Sequence, residues 1–192
     1  MAELVEWIGP CPLSPRERGF EGLVQAIVSQ QLSTKVAHTI MSRVKTLCEP
    51  TLNPEIILAL PDQDLRDVGL SFRKISYLKD LADKVSQKTL DLENLPNLSD
   101  EEVTQQLTSV KGIGKWTAEM YLIFDLCRPD VFSYGDFGLS KALCALYDLK
   151  KENYSDAAPT IVEKWRPYRS YACWYLWASL DKKKLPAAVK SS

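Results

Sequence analysis

Apolar residues recur at helical spacing along most of the chain, and no stretch alternates as a half-buried strand would. Phe20, Leu23, Val24, Ile27 and Val28 share one face of a helix that ends near Gln30-Gln31, and Ser14-Pro15 reads as its N-cap and first helical position. Ser33 or Thr34 caps the next helix, whose face is Val36, Ile40, Val44 and Leu47. Short helices follow over Glu55–Leu60 and from Pro61-Asp62 to Val68, with Gly69 in the left-handed position that ends a helix. Ser71 opens a long helix with Ile75, Leu78, Leu81, Ala82 and Val85 inward. Arg73 and Lys74 lie in its first turn, against the helix dipole, and read as solvated.

After a loop over Leu90–Leu98, Ser99 with Glu102 three residues later forms a capping box. Beyond Gly114, Trp116, Met120, Ile123, Phe124 and Cys127 make one face, and Ala118, Tyr121 and Leu122 a second. That helix should be buried on most sides and ends at Arg128-Pro129-Asp130. Helices are also predicted over Asp136–Tyr147 and Ser155–Lys164. Pro167 fits the first turn of the last one, with Tyr168, Tyr171, Ala172, Tyr175, Leu176 and Ser179 on one face and Cys173, Trp174 and Trp177 beside it. The pattern predicts an all-α protein of about ten helices.

Composition narrows the field. A chain of 192 residues, 45% hydrophobic, fits one globular unit, and no apolar run reaches the ~20 residues that span a bilayer. The N-terminal MAELVEWIGP has no basic region, so an intracellular protein is expected, cytoplasmic in a prokaryote and nuclear in a eukaryote. Cysteines at 11, 48, 127, 144 and 173 are odd in number and widely spaced, which argues against a disulfide framework, a zinc site or an iron–sulfur site. Net charge is −1, so any nucleic-acid binding rests on a local face. The Lys182-Lys183-Lys184 run reads as solvated.

Chemistry concentrates in Leu107–Leu146. Val110-Lys111-Gly112-Ile113-Gly114-Lys115 is a two-glycine turn before an apolar helix. Glycine permits positive φ and close backbone approach, and the first amides of the helix form an anion site flanked by Lys111 and Lys115. Phe132-Ser133-Tyr134-Gly135-Asp136-Phe137-Gly138 then sets one carboxylate at the start of another helix.

These two motifs, with Ile27-Val28-Ser29-Gln30-Gln31 and the run Trp165-Arg166-Pro167-Tyr168-Arg169-Ser170-Tyr171-Ala172, resemble the helix-hairpin-helix DNA glycosylases, in particular their alkylbase (3-methyladenine, type II) branch. The resemblance covers about Phe20 to Leu180. It implies one helix-hairpin-helix glycosylase domain over 1–192, with two helical lobes and a cleft, the hairpin at about 107–118 and the catalytic loop at 131–137. Gly112, Gly114 and Lys115 amides would hold a DNA phosphate, and Asp136 would be catalytic. Trp116, Met120, Tyr134 and Trp177 would line the base pocket, with Met120 standing where relatives carry an aromatic. At the Gln31-Leu32-Ser33 junction Leu32 or Ser33 would fill the gap left by an extruded nucleotide; Leu32 is the better wedge, and Gln30 and Gln31 could meet base edges. No cofactor is implied as required, although carbonyls of Val110 and Ile113 could hold a monovalent cation, Na⁺ or K⁺. The implied partner is double-stranded DNA with alkylated bases, not a membrane, and a monomer is expected.

The residues suit that chemistry. Breaking the base–sugar bond develops positive charge on the sugar, which a fixed carboxylate stabilises, and the same carboxylate can orient or deprotonate water. Amides at the start of its helix would favour the ionised form of Asp136. The single histidine, His38, is far along the chain and expected on the surface, so no general acid is evident. A purine alkylated at N3 or N7 is already cationic and needs none. Indole faces of Trp116 and Trp177 attract such a cation by ~0.5–2 kcal/mol. Bifunctional relatives carry a lysine nucleophile two residues after the second hairpin glycine; here that residue is Trp116, which implies base release without strand cleavage. The alternatives are a non-catalytic hairpin module that binds damaged or structured DNA, towards which Met120 leans, and a glycosylase for another base.

Overall fold

The computed structural model describes residues 1–15 and 19–182, and all regular structure there is helical. The chain divides into two compact units: Glu17–Tyr121, and Met1–Arg16 together with Leu122–Ser192. No helix among the described residues is long and apolar enough to cross a membrane.

The first helix, α1 (Ala2–Ile8), has no counterpart in the sequence pattern. It is short and has no side-chain cap, so its support is tertiary: Leu4 is fully buried, Tyr175 Oη donates to the Gly9 carbonyl at 3.0 Å, and Lys182 lies over the Trp7 ring. Helix α2 is described as Gly19–Ser29, and its face of Leu23, Val24, Ile27 and Val28 is buried. Ser14 and Pro15 are not helical, which corrects their expected role as cap and first helical residue; residues 16–18 lie outside the described residues. Ser33, not Thr34, caps α3 (Thr34–Leu47), and Val36 is exposed rather than core.

Asn53 caps α4 (Pro54–Ala59), α5 (Asp62–Asp67) follows, and Ser71 caps α6 (Phe72–Ser86). Gly69 has the left-handed φ expected of it, +107°. Helices α2, α4 and α5 pack on α6, which is the spine of this unit. The Ser99–Glu102 capping box opens α7 (Asp100–Thr108), and α8 (Lys115–Phe124) carries the chain across the division between units.

In the other unit Asp136 caps α9 (Phe137–Leu146), followed by α10 (Tyr154–Glu163) and α11 (Arg169–Asp181). Helices α1 and α9 pack on α11. Pro167 precedes α11, whose N-cap is Tyr168, so it does not sit in the first turn as expected, and Tyr168 is exposed. Trp165 and Trp174, read as core, are half-buried. The lysine run is described only at Lys182, and Lys183 and Lys184 lie outside the described residues.

Candidate active site and nucleic-acid interface

The segment carrying Asp136 is pinned at both ends within its unit. At the start, Arg169 Nε donates to Asp130 Oδ1 at 2.7 Å, and Arg166 Nη1 to Oδ2 at 2.8 Å. Ser170 Oγ accepts the Val131 amide at 2.9 Å, and the Ser170 amide donates to the Pro129 carbonyl at 3.0 Å. Burial alone would raise the Asp130 carboxyl, but hydrogen bonds from Arg169 and the charges of Arg169 and Arg166 hold it below the usual carboxylate value. A depressed folded value stabilises the protein above the unfolded pKa of about 3.9 and is lost as pH falls through the folded one. Arg169→Met is therefore expected to lower the thermal midpoint near neutrality, with the gap to wild type closing below about pH 4; a scan of thermal midpoint against pH checks this.

At the other end, Asp136 is 8% exposed. Its Oδ1 accepts the Leu139 amide at 2.7 Å and the Trp177 indole N–H at 2.9 Å. The first bond is an N-cap; the second crosses from α11. Gly138 makes the crossing bond geometrically available: a Cβ there would lie 3.1 Å from both Asp136 Oδ1 and Trp177 Cδ1. Phe124 stacks on Trp177, with centroids 5.5 Å apart. Tyr134 is 40% exposed, packs edge-on against Phe132, and its carbonyl accepts the Tyr154 hydroxyl at 3.2 Å. Burial, with nearby negative charge that includes Asp136, pushes the Tyr154 phenol up to about 12, so it stays a donor. Asp136, Trp177 and Tyr134 thus belong to one constellation. Of its supports, Gly138 and Arg169 stand inside the two motifs but without this role, and Asp130 and Tyr154 carry no local signal in the sequence.

Trp177→Phe keeps a stacking ring but removes the donor to Oδ1. For the glycosylase activity that the sequence resemblance implies, about a tenfold slower base release is expected with little change in DNA affinity, the worth of one charge-assisted hydrogen bond; single-turnover kinetics beside duplex titration checks it.

The other unit holds the hairpin. Gly112 has φ +81°, and a Cβ on it would overlap the Tyr77 ring. Gly114 has neither constraint: apart from its chain neighbours and its own helix, nothing among the described residues comes within 4 Å of where its Cβ would be. The two glycines therefore differ, one fixing the turn and the other keeping its outer face open. Val110 and Ile113 bury their side chains, and the Ile113 amide turns back to the Val110 carbonyl at 3.1 Å. Lys111 is tied to Asp80, which accepts its amide at 2.9 Å and lies 3.5 Å from its ammonium. Lys115 is exposed, 4.0 Å from Glu119.

The Gln30–Ser33 junction lies in the same unit. Gln31 takes a left-handed φ of +57°, its side-chain oxygen accepts Arg73 at 3.3 Å, and Leu32 is 37% exposed. Lys74 reaches back to the carbonyls of Val28 and Gln30, both at 2.7 Å, closing the open end of α2. Burial, with Arg73 adjacent, lowers the Lys74 ammonium. Arg73 and Lys74 are therefore not simply solvated. Trp116 is 51% exposed, and Met120, one turn on, is half-buried. His38 is exposed on α3.

An all-helical chain with a two-glycine hairpin and a helix-capping aspartate held by an indole defines a helix-hairpin-helix protein with a carboxylate site. Residues 24–167 match the HhH-GPD superfamily of base excision DNA repair proteins, and the chain belongs to that family. It is 34% identical over 168 residues to YfjP of Bacillus subtilis, covering 83% of this chain but 58% of that protein. A DNA-3-methyladenine glycosidase from Bacillus halodurans superposes with a TM-score of 0.85 at 36% identity, over 94% of this chain and 84% of its own. Schizosaccharomyces pombe Mag1, a 3-methyladenine DNA glycosylase in complex with abasic DNA, gives 0.81 at 31% identity, over 96% and 93%.

Proposed function

We propose that the protein is a monofunctional DNA glycosylase that releases alkylated purines of the 3-methyladenine and 7-methylguanine type from duplex DNA, by hydrolysis of the N-glycosidic bond, in base excision repair. The observation that carries this is Asp136, a carboxylate fixed through one oxygen by a helix amide and an indole N–H, within a chain that belongs to the repair superfamily. The named activities of the B. halodurans and S. pombe relatives support the branch.

The target base is extruded before reaction, since its glycosidic bond is out of reach inside the stack. The C1′–N bond then breaks, and its electron pair goes to the purine. For a cationic alkylpurine this yields a neutral base without a proton donor. The Asp136 carboxylate faces the developing positive charge, and its held oxygen costs no reorganisation at that moment. Water adds to C1′ and gives its proton to the carboxylate or to solvent. Amides of Gly112, Gly114 and Lys115 hold the DNA backbone, with Leu32 as the wedge. The exposed Trp116, with Met120, offers the stacking face for the base, and Trp177 serves mainly to hold Asp136. The Val110 carbonyl, already accepting one amide, keeps a lone pair for a monovalent cation. A monomer acting on DNA inside the cell completes the reading.

Trp116 stands where a lyase would place its lysine. Incubation of the enzyme with damaged duplex and borohydride is expected to trap no protein–DNA adduct, and free base should appear on uncut strands. A trapped adduct would overturn the monofunctional assignment.

A further inference from the structure

Four side-chain contacts in the hairpin unit form a closed circuit. Lys74 Nζ donates to the Gln30 carbonyl at 2.7 Å. The Gln30 amide, Nε2, donates to the Gly112 carbonyl at 2.7 Å. The neighbouring Lys111 amide donates to Asp80 Oδ2 at 2.9 Å. Asp80 and Lys74 stand on the same helix, α6, with Tyr77 between them against Gly112. We propose that Gln30 is a positioning residue, a strut that locks the Gln31-Leu32 loop to the phosphate hairpin through α6, so that the wedge and the clamp meet DNA as one rigid body.

This replaces base reading by Gln30. Its amide nitrogen commits one of its two N–H donors to Gly112, 82 positions away in sequence, which fixes the side chain against the hairpin. Gln31, by contrast, stays at the tip in its left-handed conformation and is held there by Arg73. Strain of that kind persists only where surrounding structure fixes it; Arg73 fixes the tip, and the circuit fixes Gln30 at its base. Each link ends on backbone of the loop or the hairpin, so what it sets is the spacing between them rather than any contact to a base.

The inference rests on the proposed function, and the test separates the two. Gln30→Met keeps the length of the side chain and removes the donor. Affinity is measured for a duplex with an abasic-site analogue and for the same duplex undamaged, with several base pairs flanking the site. The strut predicts that Gln30→Met loses about tenfold on the analogue, the worth of one hydrogen bond and the ordering it maintains, and little on undamaged DNA. The loss should not depend on the flanking pairs. Asp80→Ala should give a similar loss, and the double variant should lose no more than either alone, because a circuit opened once is already open.

Losses that vary with flanking sequence would show that Gln30 reads bases, and losses that multiply in the double variant would show independent contacts; either overturns the strut. Wild-type affinity for Gln30→Met would do the same while leaving the glycosylase reading intact. Wild-type protein without preference for the analogue would remove that reading and the strut with it. Thermal midpoints of all variants, and their binding to undamaged duplex, show that they are folded.

Discussion

Asp136→Asn is expected to slow base release from methylated duplex DNA by at least about 10²–10³-fold while the protein stays folded. Asparagine caps a helix about as well as aspartate, and its oxygen can still accept from Leu139 and Trp177. What disappears is the negative charge that the proposed mechanism sets against the sugar. Single-turnover release with a thermal melt alongside separates the two effects: a lost rate with an unchanged midpoint supports the assignment, and an unchanged rate moves the chemistry elsewhere.

Gly112→Ala is expected to cost about 2–5 kcal/mol of stability and to abolish tight DNA binding. A left-handed φ costs an L-residue about 1–2 kcal/mol, and forcing a methyl against a packed ring about 1–3 more. Both apply here, since φ is +81° and the new Cβ would overlap Tyr77. Gly114→Ala is the control. It has open space around it and caps α8, its carbonyl accepting the Ala118 amide at 3.1 Å, so the fold should lose no more than about 1 kcal/mol. Its duplex affinity should still fall, because the space a methyl would fill is where the proposed mode of binding brings a phosphate. Denaturant titration and duplex binding of both variants check the pair.

The contrast shows what a sequence can carry. Both glycines are visible in the motif, but which one the turn requires depends on Tyr77, 35 residues earlier. Helix caps were largely legible: Ser71 and Ser99 cap helices as read, and Ser33 is the one of Ser33 and Thr34 that does, because a side-chain oxygen three residues from an orphan amide is a local geometry. Asp136 was legible for the same reason. Prolines misled at 15 and 167, where a fixed φ suits a loop as well as a first turn. Helix α1 has no cap to announce it and leans on contacts from residues 175 and 182. The struts of the site were silent for a related reason. Lys74 reads as a surface charge and the pattern gives Asp80 and Arg169 no structural role; only the tertiary fold shows that they end on carbonyls, an amide and a carboxylate 31 to 46 positions distant.

The measurement closest to the centre of this account is the product formed from a methylated duplex. Incubation of the wild-type protein should liberate free 3-methyladenine or 7-methylguanine, with abasic strands that break only on later heating in alkali. A protein that binds the abasic analogue tightly yet liberates no base would contradict it, and would make the hairpin unit a recognition module.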